Sequence, residues 1–144
     1  MMNAERTLTA FLRVVGTVCA LAIIAVFMPR AWMAAIHERL GLGLFPDGPI
    51  VEYLARSTSM FYALLGGVLW VLSRDVRRSR RAIAVVACVT IAGGWVLLTI
   101  DLRAGMPMWW TACEGPFVIL LGAVTLILRA RAPAGEAQAA ERLG

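Results

Sequence analysis

Near the outer end of the long apolar stretches stand three charged side chains, Arg56, Asp101 and Glu114. A fourth, Glu52, precedes Arg56 by one helical turn. An ionised group within a bilayer is costly, so each needs an opposite charge, an aqueous cavity or a place close to the headgroups. Arg56 could meet Glu114, Asp101 or Glu52 in a small charged cluster. In the leading reading the cluster fastens helix ends, and Glu114, placed in the first turn of its helix, also gains from the helix dipole. In the other reading Arg56 and Glu114 are the polar groups of a ligand pocket open to the outer leaflet, with Tyr62, Trp70, Trp109 and Trp110 as its walls. Neither reading assigns a catalytic residue.

The remaining chemistry-bearing residues are sparse. Cys19, Cys88 and Cys113 lie far apart and form no CxxC pair, which speaks against a thiol oxidoreductase. Having His37 as the single histidine speaks against a zinc site of histidine and cysteine as well. His37 stands beside Glu38 and Arg39 and reads as a solvated residue on a polar helix face. Met106 and Met108 flank Pro107 next to two tryptophans, too few ligands for a methionine copper site. No phosphate-binding glycine loop, nucleophile elbow or HExxH motif occurs, and no cofactor or metal is expected.

What must position these residues is a set of membrane helices. The chain of 144 residues is 60% hydrophobic, with a mean hydropathy of +0.78, and its apolar residues form four blocks. Each block approaches the ~20 residues that a helix needs to cross ~30 Å of hydrocarbon. The expected fold is all-α, an integral membrane four-helix bundle. Its single transmembrane domain covers residues 1–130, with spans at about 8–28, 53–73, 82–100 and 109–128; residues 131–144 form a flexible cytoplasmic tail. The first span begins with Arg13 near its start, and Ala20–Ala22 loosely resembles a signal cleavage site. The apolar run continues to Pro29, so the segment is read as retained.

Between the first two spans, residues 29–51 place Trp32, Ile36 and Leu40 at four-residue intervals, as in a short amphipathic helix lying in the interface. Gly41, Gly43, Pro46, Gly48 and Pro49 then make a turn-rich passage into the second span. At ~100° per residue, Glu52, Arg56, Ser59, Ala63, Gly66, Gly67 and Trp70 share one side of that span, and Leu54, Phe61, Leu65, Val68 and Leu72 the other. Ser59, Ala63 and Gly67 suit small-xxx-small packing. In the third span Thr90, Gly94 and Leu97 share a face with Asp101; in the fourth, Val118, Leu121 and Thr125 share one with Glu114.

Orientation follows from the arginines. All 14 basic residues are arginine. With four spans, Arg6, Arg13, Arg74, Arg77, Arg78, Arg80, Arg81, Arg129, Arg131 and Arg142 fall on one side, against Arg30, Arg39, Arg56 and Arg103 on the other. The positive-inside rule places both termini and the 74–81 loop in the cytoplasm. In a soluble protein the excess charge would suggest nucleic acid; here it sets topology, and Arg74, Arg77, Arg78, Arg80 and Arg81 also suit anionic lipid headgroups.

Over the stretch MPRAWMAAIHERLGLGLFPDGPIVEYLARSTSMFYALLGG, and more broadly from about Met28 to Trp110, the sequence resembles small bacterial four-span membrane proteins, loosely of the DoxX-like kind. The resemblance implies four spans in a bacterial inner membrane and transfers no activity or catalytic residue. The expected function is therefore a non-enzymatic accessory or scaffold protein that binds a protein or lipid partner, or a homo-oligomer. The alternative is a small-molecule or lipid-binding protein, enzyme or carrier, with a polar site near the outer leaflet.

Overall fold

A computed structural model describes residues 2–132. Among them the chain is all-helical, with no strand: α1 Met2–Ala20, α2 Ile23–Val26, α3 Arg30–Arg39, α4 Pro49–Arg74, α5 Arg80–Ala104, α6 Met108–Cys113 and α7 Gly115–Arg131. The expected tail lies, from residue 133 onward, outside the described residues.

Among the described residues four stretches are long and apolar enough to cross a membrane: Asn3–Val26, Pro49–Arg74, Arg80–Ala104 and Met108–Arg131. At ~1.5 Å per residue, a stretch of 24 residues reaches about 36 Å, enough for the hydrocarbon layer and part of each interface. Val14, Val18, Phe61, Leu64, Val89, Val96, Phe117 and Leu120 are each more than half exposed. In water so much open apolar surface would drive aggregation, whereas lipid tails are its matching solvent. The all-α fold with four spans is as expected, and the protein is a multi-pass membrane protein. The helices run past the expected span limits because arginine and glutamate are good helix formers whose charged ends reach the headgroup region.

The chain divides into two compact units, one of Met1–Val14 with Trp70–Gly144 and the other Val15–Leu69. In the first, Leu8, Leu12, Ser73 and Ile83 are almost fully buried. There α5 buries Ile83, Ala87, Gly94 and Asp101, and α7 buries Gly115, Gly122 and Thr125. These two helices touch closely. A Cβ at Gly94 would lie 2.6 Å from Ile119 Cγ1 and 2.9 Å from the Gly115 carbonyl oxygen, and one at Gly122 would lie 2.7 Å from the Ala87 carbonyl oxygen. Small residues let the backbones approach, which is how helices gain packing energy where lipid offers no hydrophobic contrast. Helix α5 ends at Gly105, whose φ of 66° is left-handed.

The fourth span, expected as one helix, is broken between α6 and α7 at Glu114. The cause is Pro116 in the first turn of α7, which has no N–H to continue the ladder. The Gly-Pro pair in TACEGPF carried that signal in the sequence.

In the unit Val15–Leu69, a Cβ at Gly66 would lie 2.5 Å from both the Ala20 nitrogen and the Gly16 carbonyl oxygen. The expected seam of Ser59, Ala63 and Gly67 is therefore corrected at its last member. Gly66 is buried, while Gly67 is exposed and a Cβ there would meet nothing within 4 Å. Two successive four-residue steps overshoot the helical period by about 80°, whereas a seven-residue step from Ser59 to Gly66 stays on the face.

The first span also departs from a single rod. After Ala20 the chain tightens, with the Ala22, Ile24, Ala25, Phe27 and Met28 N–H groups each donating to the carbonyl three residues back. Then α3 forms as expected, with Trp32, Ile36 and Leu40 all exposed. It closes in a Schellman motif, since the Gly41 N–H donates to the Glu38 carbonyl and the Leu42 N–H to the His37 carbonyl, with Gly41 at φ 72°.

Candidate functional site

The expected charged cluster can be built from its members. On α4, Arg56 and Glu52 are one turn apart, and Arg56 Nη2 and Nε lie 2.5 Å and 3.1 Å from Glu52 Oε1. Both side chains are about one-third exposed, at 32% each. The guanidinium does more than pair with this acid. Its Nη1 donates to the Val26 carbonyl, and its Nη2 also lies 3.1 Å from the Met28 carbonyl oxygen. These carbonyls belong to the tightened end of the first span, where no further helical turn supplies donors. Arg56 thus caps one helix from another while Glu52 neutralises it.

Asp101 and Glu114 belong to the other unit. Glu114 accepts a hydrogen bond from the Trp110 indole N–H, four residues earlier, and Trp110 stacks edge-on to Trp109 with ring centroids 5.5 Å apart. Glu114 stands at the N-cap position of α7 rather than inside its first turn, and its side chain caps no backbone N–H there. Asp101, in the last turns of α5, is only 4% exposed. Its Oδ2 has no hydrogen-bond partner among the described residues. A buried oxygen without a donor costs on the order of 1–3 kcal/mol. Asp101→Leu, close in shape and free of that cost, is expected to raise the thermal midpoint in detergent by a few degrees; an unchanged or lower midpoint would show that Asp101 has a partner in the membrane.

Of the expected pocket walls, Tyr62, Trp70 and Trp109 are 41%, 40% and 46% exposed. Tyr62 lies in the unit Val15–Leu69 and the three tryptophans in the other. Trp70 has a role of its own, because the Arg13 guanidinium lies 5.4 Å from its ring centroid.

Residues 30–47 form a second polar knot. Arg30 pairs with Asp47 at 2.6 Å and lies over the Phe45 ring. His37 corrects its expected reading as a solvated residue: half-buried, it places Nδ1 3.0 Å from the Gly43 carbonyl oxygen and its ring edge-on to Phe45. That nitrogen carries the proton and donates. The loop therefore folds back onto α3.

The loop arginines have separate fates. Arg80 donates to the Ala132 carbonyl and accepts, through its own carbonyl, from Arg129 at 2.8 Å, which ties the end of α7 to the start of α5. Arg77 pairs with Glu5 at 2.6 Å, and this hydrogen bond and charge raise its pKa above the ordinary arginine value. The Arg78 N–H donates to Asp75. Arg74 lines a cavity of about 630 Å³ together with Arg6, Arg13 and Arg77, an assembly that sequence reasoning missed because Arg13 and Ser73 meet across 60 residues.

Among the described residues no group of three or more His, Cys, Asp or Glu side chains converges as a metal site would. Compared with protein-family models, with curated proteins and with solved structures, the chain finds no match.

Proposed function

We propose that this protein is a non-enzymatic accessory or scaffold protein of a bacterial inner membrane that holds a lipid or protein partner. The observation that carries the reading is the saturation of Arg56. Its guanidinium is engaged by the Glu52 carboxylate and by two backbone carbonyls, so the charge best placed to bind a ligand serves to hold a helix end. Glu114 is likewise engaged by Trp110. The arginine asymmetry supports an orientation with both termini and the 74–81 loop in the cytoplasm.

The reading is tested by fusions and by partner capture. A fluorescent protein at the C-terminus is expected to mature and fluoresce, and a phosphatase inserted near Leu44 to be active outside. Active phosphatase at the C-terminus would reverse the orientation. Crosslinking in intact membranes is expected to capture the same partner from wild type and Glu114→Gln; loss of capture in that variant alone would favour a ligand site.

A second reading, a small-molecule or lipid-binding protein with a polar site near the outer leaflet, is favoured by the Oδ2 of Asp101, which has no hydrogen-bond partner among the described residues.

A further inference from the structure

The cavity beside the arginine loop lies wholly within one unit, between the start of α1 and the end of α4 with the turn that follows. Four arginines and two acids, Glu5 and Asp75, line it. Both acids are committed. Glu5 holds Arg77 at 2.6 Å, and Asp75 accepts the Arg78 backbone N–H at 3.0 Å. Among the described residues Arg6 and Arg74 have no ion pair or hydrogen bond of their own.

Arg13 is positioned rather than paired. Its Nε lies 3.4 Å from the hydroxyl of Ser73, which is 1% exposed and itself donates to the Trp70 carbonyl at 2.7 Å. Its guanidinium rests over the Trp70 ring. The two terminal nitrogens are left to point elsewhere, without an acceptor among the described residues. Four guanidinium groups against two carboxylates, with only Glu5 held in an ion pair, therefore surround one cavity at the end of two membrane spans with an excess of positive charge, beside an amphipathic aromatic ring of the kind that settles at headgroup level.

We propose that this cavity binds the phosphate of an anionic phospholipid headgroup, with Arg6, Arg13 and Arg74 as its donors. Guanidinium forks match phosphate oxygens in shape as well as charge. The cavity lies at the ends of two membrane-spanning stretches, so the acyl chains of a bound lipid can remain along exposed Val14 and Val71. The inference rests on the proposed function, because it names the lipid partner and its seat.

The test uses the full chain in nanodiscs of phosphatidylcholine with increasing phosphatidylglycerol, reading bound lipid by native mass spectrometry and the thermal midpoint. Wild type is expected to retain phosphatidylglycerol over phosphatidylcholine and to be stabilised by it. The variant R6Q/R74Q removes two side chains that hold nothing together, so it should fold normally and bind phosphatidylglycerol roughly tenfold more weakly. R78Q/R81Q removes the same charge outside the cavity and should bind as wild type does. Equal retention by R6Q/R74Q and wild type, or equal loss in R78Q/R81Q, would overturn the site. Displacement of the lipid by millimolar inorganic phosphate would overturn the headgroup in favour of a soluble phosphate. Failure here leaves the fusion result untouched, and a reversed topology leaves headgroup binding readable in the nanodisc.

Discussion

Gly66→Ala and Gly94→Ala are each expected to lower the thermal midpoint in detergent by about 5–10 °C, corresponding to roughly 1–3 kcal/mol of overpacking. The adjacent changes Gly67→Ala and Gly93→Ala are expected to leave it unchanged or raise it slightly. The contrast has a steric origin. A methyl at Gly66 would stand 2.5 Å from backbone atoms of Gly16 and Ala20, which cannot swing aside as a side chain can. At Gly94 it would meet Ile119 Cγ1 at 2.6 Å and the Gly115 carbonyl oxygen at 2.9 Å. At Gly67 and Gly93 it would meet nothing within 4 Å, so only the helix-forming advantage of alanine, about 0.5–1 kcal/mol, remains. Equal shifts within either adjacent pair would contradict the packed faces assigned to α4 and α5.

The membrane helices were legible because hydrocarbon thickness imposes a run length that composition alone exposes. The Glu52–Arg56 pair was legible too, since a four-residue spacing puts two side chains in reach on a helix whatever surrounds them. The face of α5 that buries Gly94 and Asp101 could be drawn from the helical period. What escaped was non-local. The carbonyls of Val26 and Met28 leave no trace in residue type, so nothing in the chain announced them as partners of Arg56. The choice between Gly66 and Gly67 turns on one residue of register, and only the seven-residue repeat resolves it. The arginine cavity required Arg6 and Arg13 to meet Arg74, which a count of charges per loop treats as topology and nothing more.

Arg56→Leu is expected to be the most damaging change of a polar residue, lowering stability by about 2–4 kcal/mol. Three interactions go at once: the Glu52 carboxylate loses its cation, and the Val26 and Met28 carbonyls lose their donor. Breaking a fully buried pair costs about 3–5 kcal/mol, and partial exposure of both side chains, at 32%, lowers the figure here. Arg56→Lys keeps the charge for Glu52 but lacks the planar fork that reaches a carboxylate and two carbonyls together, so it should fall between the two. Adding Glu52→Gln to Arg56→Leu should cost less than the sum of the single changes, because each single change leaves the other group stranded. Thermal unfolding of wild type, Arg56→Leu, Glu52→Gln and the double variant reads this coupling directly, and Arg56→Lys is the fifth protein in the comparison. A capping arginine gives a stability loss graded as Leu worse than Lys worse than wild type, with partner capture following stability. If Arg56→Lys instead melted as wild type while partner capture was lost, Arg56 would be binding a ligand rather than closing the end of the first span.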